Sequence, residues 1–139
     1  VDPRKRMTFD PKASVDLQGQ TGPYIQNAYV RIQSILRKAG DIPPFESGYS
    51  LNEDEKLLLN MLGQCRQIVA SAAADYNPAM VANYAFALAK EYHRYYHEVK
   101  VLQAETEEAR RFRLALITQI GAILAHTMDL LGIEMPERM

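Results

Sequence analysis

The stretch TGPYIQNAYVRIQSILRKAG, residues 21–40, decides the fold because its apolar residues recur with the period of an α-helix. Thr21 or Gly22 can cap the start of this helix, Pro23 suits its first turn, and Gly40 is placed to end it. One apolar stripe runs along the helix and is formed by Ile25, Ala28, Ile32, Ile35, Leu36 and Ala39. The stretch therefore predicts an amphipathic helix with one buried side.

A second helix is predicted after a loop at residues 41–49 that contains Pro43 and Pro44. Ser50 and Glu53 have the spacing of a capping box, in which each side chain bonds the backbone of the other residue. The buried face of this helix is expected to consist of Leu58, Met61, Leu62, Cys65, Ile68 and Val69.

Two longer helical patterns follow. Asn77 and Pro78 start the first, whose stripe comprises Val81, Tyr84, Ala85, Leu88, Tyr92, Tyr95 and Val99. Thr106 caps the second, Gly132 ends it, and its broad apolar side is typical of a central helix. The predicted fold class is an all-α bundle of four to six helices, with an extended N-terminal segment at residues 1–18.

Composition and charge limit the possible functions. No apolar run approaches the roughly 20 residues of a membrane span, no secretory signal is visible, and the lone Cys65 suits a reducing cytoplasm. Residues 1–40 hold seven Lys or Arg against three Asp or Glu, whereas the remaining chain holds nine against fourteen. This basic third could face a polyanion, and chance patterning of a solvated surface explains it equally well.

Enzymatic motifs are absent from the sequence. His93 and His97 share a helix face and could chelate one ion, but no Glu lies three residues before any histidine, and both are expected on a polar side. The chain also lacks a Gly-x-Ser-x-Gly elbow, a phosphate loop and a dinucleotide fingerprint. We therefore expect neither a catalytic residue nor a metal site in these residues.

A line of polar and aromatic residues is the candidate binding surface. Tyr24, Asn27 and Arg31 project along one flank of the first stripe, with Lys38 further on. Aromatic rings stack on unpaired bases, amides read base edges, and Arg contacts phosphate. Spacing alone also allows an ordinary helix boundary with a wet hydroxyl. On the third helix, Tyr96 lies at the stripe's margin and offers a second stacking face.

Two further residues are unusual for their positions. Arg113 projects within the apolar side of the last helix, and we expect it to form a bidentate ion pair that braces the fold. Phe86 projects away from the main stripe of its helix, which leaves it available to a neighbouring molecule.

Three blocks of the sequence resemble the C-terminal domain of arginyl-tRNA synthetases. The first is the segment from Phe9 to Arg37 around Thr21-Gly22-Pro23-Tyr24-Ile25-Gln26; the others are Arg113-Leu114-Ala115-Leu116 and the end, Leu130-Leu131-Gly132-Ile133 with Pro136-Glu137-Arg138-Met139. They bracket almost the whole chain in the family's order.

The resemblance implies a "DALR" anticodon-binding bundle at residues 19–139, whose partner is the anticodon stem and loop of an arginine tRNA. It also implies that residues 1–18 end the connection from a catalytic domain, which would hold ATP and Mg and attach arginine to the tRNA. No cofactor is expected in the present residues. The alternative class is a helical bundle that binds proteins and not RNA.

By position, the resemblance implies an anticodon-loop surface of Tyr24, Arg31, Tyr96 and the terminal Met139. The family often carries an aromatic residue at the position of Asn27. An asparagine can hydrogen-bond a base edge but stacks poorly, so this position departs from the family's pattern.

Overall fold

The computed structural model describes residues 6, 8–42, 44–45 and 48–139. Its helices are α1 (Pro11–Ser14), α2 (Gly22–Ala39), α3 (Glu53–Ala74), α4 (Pro78–Glu98) and α5 (Glu107–Leu130). The described residues include no strand, and the predicted all-α class is confirmed. None of the described helices combines the length and apolar character needed to cross a membrane.

Helix α5 is the centre of the bundle. It contacts α2, α3 and α4; α2 and α4 also contact each other, while α3 packs on the other side of the α4–α5 pair. The solvent-inaccessible side chains of α5 include Leu114, Ile117, Ile120 and Leu124. Each contributes about 1.5–3 kcal/mol through its removal from water. The broad apolar side predicted for this helix is therefore explained by its three neighbours.

Gly121 lets α2 lie close against α5. A β-carbon at this position would lie 3.1 Å from Cγ2 of Ile32, which is tighter than ordinary van der Waals contact. Ile32 is completely buried in this crossing. Because Gly121 has no side chain, α2 can pack close to α5. This distance sets where the exposed residues of α2 lie relative to the rest of the bundle.

The helix ends follow the sequence with one correction. Thr21 caps α2, Gly40 follows it with a φ of 69°, and Thr106 caps α5, as predicted. The predicted Ser50–Glu53 capping box is wrong, because the box joins Asn52 and Glu55 two residues later. Glu55 N donates to Asn52 Oδ1 at 2.8 Å, and Asn52 N donates to Glu55 Oε2 at 3.0 Å.

The segment before α2 was predicted to be extended, yet it contains the single turn α1. Asp10 explains this turn, since its carboxylate accepts hydrogen bonds from the backbone amides of Lys12 and Ala13. Residues 1–5 and 7 of this segment, and Pro43 of the predicted proline loop, lie outside the described residues.

Arg113 forms the predicted brace, which we call the Arg113 network. Its guanidinium pairs with both carboxylate oxygens of Glu105, at 2.6 and 2.8 Å, and its Nε donates to the fully buried Glu55 at 3.1 Å. The hydroxyls of Tyr49 and Tyr95 also donate to Glu55, each at 3.1 Å. The network thereby ties α3, α4 and α5 to the connection between α4 and α5.

Candidate nucleic-acid interface

Three of the sequence-predicted residues meet where α2 crosses α4. Cζ of Arg31 lies 5.2 Å from the centroid of the Tyr96 ring, a cation–π distance. The Tyr24 ring meets His93 edge-on, with 4.8 Å between centroids, and Arg31 Nη1 points at His93 Nδ1 from 3.5 Å. Tyr24, His93, Arg31 and Tyr96 therefore form one continuous surface, which we call the α2–α4 face.

Tyr96 presents the most open ring of this face. Its side chain is 39% exposed, and the fully buried Tyr92 supports it from below with ring centroids 6.2 Å apart. His97 meets it edge-on at 5.6 Å. A tyrosine held from behind and open in front is a stacking platform for a planar ligand.

Asn27 and Met139 stand apart from this face. Asn27 is half-buried one turn beyond Tyr24, and no hydrogen bond within the described part of the chain joins it to the other site residues. Met139 is 63% exposed at the end of a tail that runs along α2. Gln26 Nε2 donates to the carbonyl of Glu134 at 2.9 Å, and Arg37 Nη1 donates to that of Glu137 at 3.2 Å.

Sequence reasoning missed one member of the α2–α4 face, His93, and the Phe86 ring that packs behind it on Tyr24. His93 was expected on a polar side, which is wrong, whereas the suggestion that Phe86 meets a neighbouring molecule stays a prediction. His93 is half-buried against Tyr24 and Arg31, and the Phe86 ring packs on Tyr24 with centroids 5.1 Å apart. The available signal was spacing, since Phe86 and His93 are separated by seven residues, like Tyr24 and Arg31 on the facing helix.

The environment of His93 keeps its imidazole neutral. Burial lowers its pKa most, and the positive charge of Arg31, with a smaller effect of His97, lowers it further. The guanidinium of Arg31 can only donate, so a hydrogen bond to His93 Nδ1 requires the neutral tautomer that carries its proton on Nε2. Burial also raises the pKa of Tyr24, so its phenol is uncharged at neutral pH.

The low pKa of His93 has a measurable consequence. NMR titration should give a pKa below the usual 6.5, and Arg31→Gln should raise it by removing a positive neighbour. The unfolded chain gains this proton at higher pH than the folded chain does. The free energy of unfolding should therefore fall as the pH drops from 6.5 through the folded-state pKa, and His93→Gln should remove that part of the dependence. A pKa at or above the usual value would contradict this account.

The cations of the α2 flank are available to a ligand. The ion pairs of the described residues involve Lys56, Arg94, Arg110, Arg111 and Arg113, all of which lie on other helices. Arg31 and Lys38 take part in none of them. The half-buried Arg31 beside the aromatic rings, with the exposed Lys38 further along α2, suits a flexible polyanion whose bases can stack.

A metal site at His93 and His97 has little physical support. The positive Arg31 guanidinium already faces His93 Nδ1, and it would repel a cation there. Over the described ranges, no group of three or more His, Cys, Asp or Glu residues is arranged to hold a metal ion.

Proteins that bind single-stranded nucleic acid combine aromatic rings with cations on one surface, and the α2–α4 face has both. The chain is a member of the DALR anticodon binding domain family, whose sequence model matches residues 25–139. Membership agrees with the arginyl-tRNA synthetase resemblance seen in the sequence.

The relatives are arginine–tRNA ligases. The whole chain is 49% identical to the arginine–tRNA ligase of Phocaeicola vulgatus and 46% identical to that of Parabacteroides distasonis, and it covers 24% of each relative's length. Among solved structures it is similar to Thermus thermophilus arginyl-tRNA synthetase, with a TM-score of 0.88 and 34% identity over 99% of this chain and 24% of that one. The chain thus spans about a quarter of the length of these relatives.

Proposed function

We propose that this chain recognises the anticodon stem and loop of an arginine tRNA, as the anticodon-binding part of an arginine–tRNA ligase. The observation that carries the proposal is the α2–α4 face, where Tyr24, Arg31 and Tyr96 come together across two helices. Its membership of an anticodon-binding family supports the same ligand.

Recognition uses stacking and charge together. Unpaired loop bases stack on Tyr24 and Tyr96, while Arg31 reaches the phosphate or base between them. Asn27, one turn from Tyr24, offers an amide to a base edge, and the exposed Met139 adds a contact from the tail, outside the α2–α4 face. Aromatic platforms favour single-stranded loops over duplex, since paired bases hide their faces.

The rest of the enzyme supplies the chemistry in this proposal. ATP, Mg and arginine bind outside these residues, in a catalytic domain of the parent ligase, and the bundle's contribution is to hold the tRNA. Residues 19–139 form the binding module, and residues 1–18 connect it to that catalytic domain. The intact enzyme works in the cytoplasm.

A protein-binding bundle is the alternative that the sequence left open. In this alternative the face of residues 1–40 docks another polypeptide, and a stable protein complex without RNA affinity at low salt would favour it. Within the described residues, the only cation–π contact, that of Arg31 with Tyr96, lies on the face proposed for RNA.

The test is direct binding of a synthetic anticodon stem-loop to this chain. We expect salt-dependent binding to the arginine stem-loop, and the Tyr24→Ala/Arg31→Ala double variant should lose most of it. The double variant's melting temperature reports whether the bundle remains folded. If the folded double variant bound the stem-loop as tightly as the wild type, the α2–α4 face would not be the binding surface.

A further inference from the structure

The guanidinium of Arg31 is held by two neutral groups of α4. Cζ of Arg31 lies 5.2 Å from the centroid of the Tyr96 ring, and Nη1 lies 3.5 Å from Nδ1 of His93. No ion pair between described residues includes Arg31. Arg113 differs, because the two carboxylates of the Arg113 network cancel its charge. Neutral partners orient a guanidinium and leave its positive charge to a ligand.

His93 is itself fixed by the helix that carries Arg31. The Tyr24 ring meets the imidazole edge-on with 4.8 Å between centroids, and the buried Tyr92 ring lies 6.0 Å from it. Burial and the charge of Arg31 lower the pKa of His93 more than a hydrogen bond to the Tyr24 backbone raises it, so the imidazole is neutral. A neutral ring held by these contacts can present its Nδ1 lone pair to Arg31 in one direction.

We propose that His93 is a positioning residue that orients Arg31 toward the RNA. Its Nδ1 accepts from one N–H of the guanidinium, and the Tyr96 ring supports the guanidinium at the same time. The other N–H groups of Arg31 are then left for a phosphate or a base. His93 acts through Arg31 and does not contact the RNA. The role rests on the proposed function, because it sets the geometry of a residue that the function already uses.

Protonation of His93 would undo this arrangement. An imidazolium carries N–H at both ring nitrogens, so Nδ1 would face Arg31 as a donor and as a second positive charge. Three other groups of the described chain bear on this titration, namely Tyr24 against the ring, His97 on the same helix, and Glu91, which acts on Tyr24. A histidine that contacted RNA directly would instead strengthen binding when it gained a proton. The two roles therefore predict opposite effects of acid on affinity.

Substitutions of His93 test the role by rescue. Asparagine places Oδ1 near the position of Nδ1 and can still accept from Arg31, whereas leucine has no acceptor. At neutral pH, His93→Leu should weaken binding of the arginine anticodon stem-loop about 3- to 10-fold, the equivalent of one hydrogen bond, and His93→Asn should bind like the wild type. His126→Leu, at an exposed histidine of α5, is the matched control. If His93→Leu, folded by its melting temperature, bound like this control, His93 would not position Arg31.

A double-mutant cycle separates positioning from direct contact with the RNA. In a chain that carries Arg31→Ala, His93→Leu should cause no further loss of affinity, because no guanidinium remains to be oriented. A loss as large as that in the wild-type background would overturn the proposal, since His93 would then act without Arg31.

The pH profile gives a third readout. Affinities of the wild type and His93→Asn are compared above and below the pKa that NMR gives for His93, so the titration of the RNA and of the other histidines is common to both chains. On acidification the wild type should lose about 3- to 10-fold more affinity than His93→Asn, because only the wild type loses its acceptor. Equal profiles, or a gain confined to the wild type, would overturn the positioning role alone. Failure of the wild-type chain to bind any stem-loop at low salt would instead remove the proposed function, and this role with it.

Discussion

Replacing Glu55 with alanine should lower the free energy of unfolding by about 3–5 kcal/mol, because it leaves the guanidinium of Arg113 buried without its inner partner. Glu55 is completely buried, and Arg113 is only 5% exposed, so water cannot replace the lost carboxylate. The same substitution removes the capping-box acceptor for Asn52 N and the acceptor for the hydroxyls of Tyr49 and Tyr95. Urea denaturation followed by circular dichroism measures the change.

Glu105→Ala is the matched control for that experiment. Glu105 pairs with the same guanidinium, but its side chain is 64% exposed, so water can take over its contacts. We expect a loss several times smaller than that of Glu55→Ala. If the two substitutions lowered the free energy of unfolding equally, burial would not determine how much these ion pairs contribute to stability.

Replacing Tyr96 with alanine should weaken binding of the arginine anticodon stem-loop about 5- to 150-fold, the equivalent of ~1–3 kcal/mol for one stacked base. The substitution removes the exposed ring and also the surface on which Arg31 rests. Tyr96→Phe keeps both, and it should retain most of the affinity. Fluorescence anisotropy with a labelled stem-loop distinguishes the two variants.

Tyr76→Ala provides the control for a tyrosine that is not part of the α2–α4 face. Tyr76 is 92% exposed at the turn between α3 and α4, so its loss should leave RNA affinity unchanged. If Tyr96→Ala bound as well as Tyr76→Ala, the open ring of Tyr96 would have no part in recognition.

The helices could be predicted because each is amphipathic over many turns, and periodicity is a strong signal at that length. The start of α3 could not be predicted, because Ser50 with Glu53 and Asn52 with Glu55 show the same capping pattern two residues apart. A tertiary contact decides which of the two capping boxes forms. Of the two candidate glutamates, Glu55 is the one whose carboxylate pairs with Arg113, which lies 58 residues away in the chain.

The candidate site was predictable within one helix and not between helices. Tyr24 and Arg31 share a flank of α2 and Tyr96 lies at the margin of the α4 stripe by spacing alone, and the family pattern added Met139. The position of His93 depends on how α4 crosses α2, which no single-helix projection contains. Its half-buried place between Tyr24 and Arg31 therefore emerged only from the structure.

The close approach of Ile32 to Gly121 sets the distance between α2 and α5, and so the position of the α2 residues in the α2–α4 face. Ile32, which a side chain at this position would push, is the immediate neighbour of Arg31. Adding one methyl group in the interior would thus displace the guanidinium relative to Tyr96 without altering any residue that faces the solvent. Affinity for a ligand and resistance to unfolding can diverge at such a position, because alanine improves the helix that it enters while it misaligns the one that it meets.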